Sequence, residues 1–241
     1  MKRAERQRLR QNDLGALTRQ VQEVFTERKR DIAWVAAAVV IVGAAALGYW
    51  AWHQREQEGA QKLLADAMLV QEARIGPPAA ATGTTGLTFP TERERAQAAV
   101  AKFKATADAY PATDAGVFAR YQEASTLMVL DNPTGAGNAY QQVIDRVGNR
   151  LIGQTARLGL AAAQARGGQF DQAITAYKEL AQHKDGGLPI DGILMELGRV
   201  YRDAGRANDA RLTFNRLIEE FPDSPFNADA KRELDALKKT A

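Results

Sequence analysis

The sequence from Leu197 to Pro222, LGRVYRDAGRANDARLTFNRLIEEFP, carries the clearest signal for the architecture of most of this chain. Apolar positions recur at helical spacing on both sides of Gly205, so the stretch predicts two short helices joined by a glycine turn. In the second helix the small residue Ala210 stands four positions before the aromatic Phe214. A small residue lets paired helices approach closely, and a ring fills the space between neighbouring pairs.

The same arrangement, a small residue four positions before an aromatic or branched one, recurs upstream in segments with helical periodicity. The upstream pairs are Ala99 and Phe103, Ala139 and Val143, and Ala173 and Tyr177. With Ala210 and Phe214 as the last pair, the spacings are 40, 34 and 37 residues. A period of this length is typical of stacked helix pairs rather than of a single globule. We therefore predict an all-α fold with an α-solenoid over residues 91–223.

These positions resemble the consensus of the tetratricopeptide repeat (TPR) family. The last unit matches at Leu197, Gly198, Tyr201, Gly205, Ala210, Phe214 and Pro222. The middle unit matches at Leu160, Ala161, Gly168, Ala173 and Tyr177. Weaker matches stand at Leu127 and Ala139, and at Ala99, Phe103 and Pro111. The resemblance covers residues 91–222 and implies TPR-like helix pairs.

The TPR resemblance also implies that the first helix of each pair lines a concave groove that binds peptides or helices. By family position, the groove residues are Tyr121, Met128, Leu158, Ala162, Met195, Arg199 and Arg202. The Lys and Asn clamp with which chaperone-binding members hold a terminal carboxylate is not matched, because these positions are mostly apolar. Such a groove suits a helix or an extended hydrophobic segment. Met and Leu at these positions also serve as core residues, and that alternative stays open.

A second stretch, Ile32–Trp52, runs IAWVAAAVVIVGAAALGYWAW without one charged side chain. A helix of this length measures about 31 Å, close to the ~30 Å hydrocarbon core of a bilayer. The stretch lacks the polar stripe of a soluble helix, so we predict a single transmembrane helix. Small residues on it form a face suited to helix packing: Ala36, Gly43, Ala44 and Gly48. The alternative is a cleaved secretory signal, although the apolar run exceeds the length of a signal core.

The flanks of this segment predict its orientation. Residues 1–31 carry nine basic and five acidic side chains, and three of the basic ones directly precede the apolar run. By the positive-inside rule, the N-terminus stays in the cytoplasm. Aromatic residues at the far end predict an interfacial belt: Tyr49, Trp50 and Trp52. We expect a single-pass protein whose repeats lie across the membrane from its N-terminus.

The rest of the chain divides by composition. Within the basic tail of residues 1–31, the positions after Asp13 predict a short amphipathic helix. This helix either lies on the inner leaflet or contacts a cytoplasmic partner, or it is a solvated segment that leads into the membrane helix. Residues 53–75 predict a juxtamembrane helix, and residues 76–90 a flexible Pro- and Gly-rich linker. At the other end, residues 224–241 predict a helix that caps the array.

Composition and motifs argue against catalysis and nucleic-acid binding. Beyond residue 31 the chain carries 23 basic and 24 acidic side chains, which gives no electrostatic footprint for nucleic acid. It has no cysteine, and neither His53 nor His183 stands in a catalytic or metal-binding pattern. There is no phosphate loop and no glycine-flanked serine elbow. We expect a non-enzyme without cofactor, metal or small-molecule substrate.

The layout of a basic tail, one membrane helix and exported TPR units resembles the bacterial ancillary subunit of the Sec translocon and periplasmic envelope-assembly TPR proteins. This resemblance implies a bacterial inner membrane protein whose repeats lie in the periplasm. Besides membrane lipid, it implies protein partners: an integral membrane complex, exported proteins or chaperones at the protein export machinery. Our first hypothesis is a membrane-anchored adaptor that holds such partners through its repeats. The alternative is a structural accessory subunit of a large membrane complex, held through the transmembrane helix.

Overall fold

The computed structural model of the protein describes residues 29–77, 86–182 and 187–239. Over these ranges the chain forms helices, turns and one pair of two-residue strands. In order the elements are α1 (Lys29–Gln71), β1 (Arg74–Ile75), β2 (Thr88–Phe89), α2 (Glu92–Ala109), α3 (Asp114–Val129), α4 (Pro133–Val147), α5 (Leu151–Arg166), α6 (Phe170–Gln182), α7 (Ile190–Asp203), α8 (Ala207–Glu220) and α9 (Asn227–Lys239). The helix predicted after Asp13, and His183, lie outside the described residues.

The chain divides into two compact units, Met1–Arg55 and Glu56–Ala241. In the described part of the first unit, α1 exposes large apolar side chains such as Trp34, Val40 and Leu47. Among the described residues, α1 is the one helix long and apolar enough to cross a bilayer; its apolar window has a mean hydropathy of 1.9 and no buried part. An apolar surface this continuous needs lipid or a partner to cover it.

The second unit is a stack in which each helix from α2 to α9 packs against its neighbours in sequence. Three helix pairs follow one another: α3 with α4, α5 with α6, and α7 with α8. The first helices of successive pairs also touch, α3 with α5 and α5 with α7. Before the first pair, Phe103 of α2 shares a buried cluster with Val70. The predicted all-α solenoid is thereby confirmed.

The repeat is more regular than the sequence pattern indicated. Its buried alanines recur every 37 residues, and each is followed four positions later by a buried ring. The pairs are Ala99 and Phe103, Ala136 and Tyr140, Ala173 and Tyr177, and Ala210 and Phe214. The predicted pair of Ala139 and Val143 is therefore wrong in register. Both of its residues are buried on α4 about one turn later, so apolar periodicity alone could not separate the two pairs.

Two of these rings, those of Phe214 and Tyr140, pack against a glycine. A Cβ atom added at Gly198 on α7 would lie 2.4 Å from the ring of Phe214. One added at Gly159 on α5 would lie 2.4 Å from the ring of Tyr140. These separations are shorter than non-bonded carbon atoms tolerate, so any side chain would push the helices apart. The glycines thus set how closely the helices approach.

The turn inside each pair repeats with the same period. Asp131, Gly168 and Gly205, again 37 residues apart, have positive φ angles of 58°, 76° and 73°. The next N–H in each case donates to the carbonyl five positions earlier: Asn132 to Leu127, Gln169 to Gln164, and Arg206 to Tyr201. This is a helix C-cap geometry that glycine adopts without strain. The same turn geometry therefore reverses the chain direction between the first and the second helix of each pair.

Part of the predicted flexible linker is ordered. Arg74 pairs with Thr88 and Ile75 with Phe89 in a parallel bridge, and the N–H of Gly76 donates to the carbonyl of Phe89 at 2.9 Å. The preceding helix ends at Gln71, short of residue 75. Composition predicted a coil here because the run contains many turn-forming residues. It could not predict the bridge, because the bridge joins segments on either side of that run. Residues 78–85, within that run, lie outside the described ranges.

We expect Phe214→Ala to lower the free energy of unfolding by about 3–5 kcal/mol, because it empties a fully buried ring site. Leu212→Ala is the matched control: it lies on the same helix but is 69% exposed, and should change stability by no more than ~0.5 kcal/mol. Urea unfolding followed by circular dichroism measures both. Equal effects of the two changes would contradict the packing described here.

Candidate partner-binding surface

Four of the seven predicted groove residues lie at the surface of α3 and α5. Each is half-buried: Tyr121, Met128, Leu158 and Ala162. Tyr121 and Met128 pack at the edge of the apolar cluster that contains Tyr140. Leu158 packs at the edge of the cluster that contains Tyr177. These side chains combine a structural contact with accessible apolar area, and their role in binding stays a prediction.

Phe118 on α3 adds an exposed ring that sequence reasoning missed. It is 36% exposed, and its ring stacks on that of Tyr121 with 6.4 Å between centroids. Tyr121 in turn meets the edge of Tyr140 at 5.6 Å. The i, i+3 spacing of Phe118 and Tyr121 was the available signal, since such residues share a helix face. We call Phe118, Tyr121, Met128, Leu158 and Ala162 the apolar face.

The phenol groups on and beneath this face are uncharged at neutral pH. Burial raises the pKa of Tyr121 above its ordinary value. Burial also raises the pKa of Tyr140, which outweighs the opposing effect of its hydrogen bond with Ser125. Because removing water disfavours the phenolate, both rings present neutral, amphipathic surfaces. The apolar face therefore offers stacking and apolar contact rather than charge.

Met195 is not a surface residue. Its side chain is fully buried within α7, among Leu194, Leu197 and other members of the C-terminal core. It cannot contact a partner without local unfolding, so its assignment to the groove surface is corrected. Family position indicates which way a helix face points, but not which other helix covers that face. Met195 belongs to a core that α9 shares, and the repeat pattern does not specify how α9 packs.

Arg199 and Arg202 are paired rather than free on a rim. Arg202 Nη1 lies 2.5 Å from Glu233 Oε2 on α9. Arg199 Nε lies 3.7 Å from the other oxygen of the same carboxylate, and its Nη2 lies 3.8 Å from Asp229. The hydrogen bond that Arg202 donates to Glu233 is the main cause that raises the pKa of Arg202. Because Arg199 lies closer to Glu196 of its own helix, at 2.7 Å, Arg202 makes the main charged contact with α9.

Most of the small and aromatic residues predicted for α1 are exposed. Apart from the adjacent residues and the nearby backbone of α1 itself, no atom of the described residues lies within 4 Å of a Cβ added at Gly43 or Gly48. The structure shows Ala44, Trp50 and Trp52 exposed, with Tyr49 stacked on His53 at 6.1 Å between centroids. Nothing is described for the side chain of Ala36. Helix packing and the interfacial belt stay predictions.

A buried charge cluster joins α2 to α3, and sequence reasoning missed it. Arg120, whose side chain is 13% exposed, lies 2.5 Å from the buried carboxylate of Glu123 and also bonds Asp108. Burial raises the pKa of Glu123, against the opposing charge of Arg120. Hydrogen bonds from Lys104 and then Arg120 lower the pKa of the exposed Asp108. Arg120 and Glu123 look like ordinary surface residues in the sequence, because burial depends on the neighbouring helix.

These geometries define a class of protein: a helical-repeat solenoid whose surface offers apolar and paired charged contacts. Within the described residues no group of three His, Asp or Glu could hold a metal ion. Residues 25–239 match the family described as "Tetratricopeptide repeat-like domain". The chain belongs to this family, which confirms the TPR resemblance.

Solved structures show the same fold. The TPR-like repeats of a putative kinesin light chain from Podosopora anserina superpose with a TM-score of 0.53 and 12% identity over 77% of this chain and 85% of that one. A point variant of the same repeats gives a TM-score of 0.54 and 13% identity over 77% and 84% of the two chains. At this identity the likeness establishes the fold alone. No curated protein sequence matches the chain.

We expect Arg120→Met to lower stability by about 3–5 kcal/mol at pH 7, because it leaves the Glu123 carboxylate buried without its partner. The deficit should shrink as the pH falls, since Glu123, whose pKa is already raised, then takes up a proton and loses its charge. Urea unfolding at several pH values measures this.

Arg150→Met is the matched control for this prediction. Its pair with Asp114 spans 2.9 Å, but the two side chains are 60% and 79% exposed. Such a pair contributes less than about 1 kcal/mol. A deficit for Arg120→Met that equals the control, or that grows as the pH falls, would contradict the buried-charge account.

Proposed function

We propose that the protein is a membrane-anchored, non-catalytic scaffold that binds protein partners through its TPR units. The coarse part of this statement follows from the fold, because TPR domains are typically interaction modules without catalytic activity. The finer part, anchoring and export of the repeats, is supported by the apolar and exposed helix α1. The excess of basic residues before that helix supports a cytoplasmic N-terminus and a periplasmic array.

The observation that carries the scaffold proposal is the apolar face. It joins a partly exposed aromatic pair on α3 to aliphatic side chains on α5, and those two helices touch. Aromatic side chains in such settings are frequent centres of binding energy, because they bury much area for little entropy. The partner chemistry that fits is an amphipathic helix or an extended apolar segment of another protein.

Anchoring makes such weak apolar binding effective. A scaffold and a partner confined near one membrane meet at a higher effective concentration than two free proteins do. This favours partners that are themselves membrane proteins or newly exported chains at the export machinery. A fixed accessory subunit held through α1 is the second candidate, and the small residues Gly43 and Gly48 support it because they would allow another helix to approach closely.

We expect the double change Phe118→Ser and Leu158→Ser to reduce partner recovery at least about tenfold, equivalent to ~1.4 kcal/mol or more. The measurement is quantitative capture by the tagged full chain from detergent-solubilised membranes, with crosslinking before extraction. Leu212→Ser, also an aliphatic change but on the exposed side of α8, is the matched control.

Three outcomes separate the candidates. Loss of partners with the double change but not with the control supports the scaffold. Stoichiometric partners that survive the double change, and that are lost only when α1 is replaced, support the accessory subunit. No specific partner with the intact chain contradicts both. Circular dichroism of each variant checks that the helices are retained.

A further inference from the structure

Helix α9 occupies the position that the first helix of another repeat would take. In the array, α5 packs on α4 and α7 packs on α6; α9 packs on α8 in the same order. The ring of Phe226, just before α9, would lie 3.4 Å from a Cβ atom added at Gly192 on α7. We call the surface of α7 and α8 that receives α9 the terminal seat, and define it by Arg199, Arg202 and Arg211.

Helix α9 rests on the terminal seat through few buried residues. Helix α7 buries seven residues, whereas α9 buries two, Ala230 and Leu237. Phe226 and Leu234 add partly buried apolar area. Among α2 to α9, α9 is the helix with the fewest buried residues in the described ranges. Few buried contacts favour local opening of a helix.

The remaining contacts of α9 are electrostatic, and they match acid on α9 to base on the seat. Glu233 pairs with both Arg202 and Arg199. Arg211 Nη2 donates to the carbonyl of Leu237 at 2.8 Å. Arg199 and Arg202 also pair within α7, with Glu196 at 2.7 Å and Asp203 at 2.8 Å. The seat therefore favours a helix that places a carboxylate where Glu233 lies, in reach of Arg202.

The fit of α9 leaves polar atoms unsatisfied. Within the described residues, three buried side-chain atoms lack a hydrogen-bond partner, and two of them lie at this contact: Nε of Arg211 and Oδ1 of Asn227. A buried donor without an acceptor weakens the contact that buries it. Helix α9 offers Arg211 one backbone carbonyl, which accepts from Nη2. A helix with a carboxylate opposite Arg211 would also accept a hydrogen bond from Nε.

We propose that the terminal seat binds an amphipathic helix of a partner protein in place of α9, that this helix carries a carboxylate at the position of Glu233, and that α9 is its intramolecular competitor. This surface is separate from the apolar face, and the inference does not depend on membrane anchoring. The partner helix can bind only while α9 is detached. Its apparent affinity is therefore its intrinsic affinity multiplied by the fraction of molecules in which the seat is open. Weakening α9 should therefore strengthen binding in trans.

The first test is hydrogen exchange of the full chain followed by mass spectrometry. Amides of α9 should exchange at least about tenfold faster than those of α8, because α9 opens without the rest of the array. Equal protection of α8 and α9 would overturn the proposal, since a seat that never opens cannot take a second helix.

The second test uses a fluorescent peptide of residues 226–239 as the probe, with a scrambled peptide of the same composition as its control. The variant Asp229→Asn with Glu233→Gln in the full chain weakens α9 without changing the seat. It should bind the probe at least about tenfold more tightly than the intact chain does, because its own helix competes less. Equal binding of the probe to both chains would overturn the proposal.

A charge exchange shows whether the seat itself is the site. Arg202→Glu, added to the weakened chain, should remove binding of the probe, and a probe carrying Glu233→Arg should restore it. Arg216→Glu is the matched control, because Arg216 lies on α8 and pairs with Glu220 of the same helix. Loss of binding with Arg216→Glu as well, or no rescue by the charge-exchanged probe, would contradict the assignment of the seat.

Discussion

The architecture depends on one contact, a buried ring packed against a residue that carries no side chain to obstruct it. Gly198 receives Phe214 in this way, and Gly159 receives Tyr140. Because the distances leave no room for a methyl group, the helices approach to a separation that buries the ring entirely. Four buried rings also follow a buried alanine by four positions, and the 37-residue recurrence of Ala99, Ala136, Ala173 and Ala210 makes the stack of helix pairs regular.

How much of this the sequence predicted depends on how local each signal is. The pair Ala210 and Phe214 was predicted because helix period, turn glycine and small-to-aromatic spacing agree within the stretch Leu197 to Pro222. Tyr140 was missed because Val143 lies on the same buried face, and only the neighbouring helix decides which residue meets Gly159. The parallel bridge of Arg74 with Thr88 was missed for a similar reason, since it joins segments separated by residues with no periodic pattern.

The candidate site was predictable in part. Repeat position selected Tyr121, Met128, Leu158 and Ala162, which are half-buried in the structure, and their role in binding stays a prediction. It failed at Met195, which is buried in a core that α9 shares, and it could not show that Arg199 and Arg202 are paired with Glu233. The burial of Arg120 and Glu123 could not be predicted either, because an i, i+3 ion pair has the same sequence pattern on an exposed and on a buried helix face. In each case the missing information was the identity of the helix opposite.

The two ends of the chain have distinct physical roles. At the C-terminal end, a charged and sparsely buried helix covers the last pair. At the other end, α1 exposes a long apolar surface that no other described residue covers. The proposed anchoring rests on that surface, and it determines whether the apolar face meets its partners in solution or beside a membrane.

Anchoring and export of the repeats are tested together by carbonate extraction of membranes that contain the full chain, followed by protease treatment of intact spheroplasts. We expect the chain to stay in the membrane pellet at high pH and external protease to remove the repeats. Replacement of Val39 and Val42 by Arg, which places charge in the middle of the apolar run, should release the chain. Recovery of the intact chain in the soluble fraction, or repeats protected from external protease, would contradict a membrane-anchored and exported scaffold.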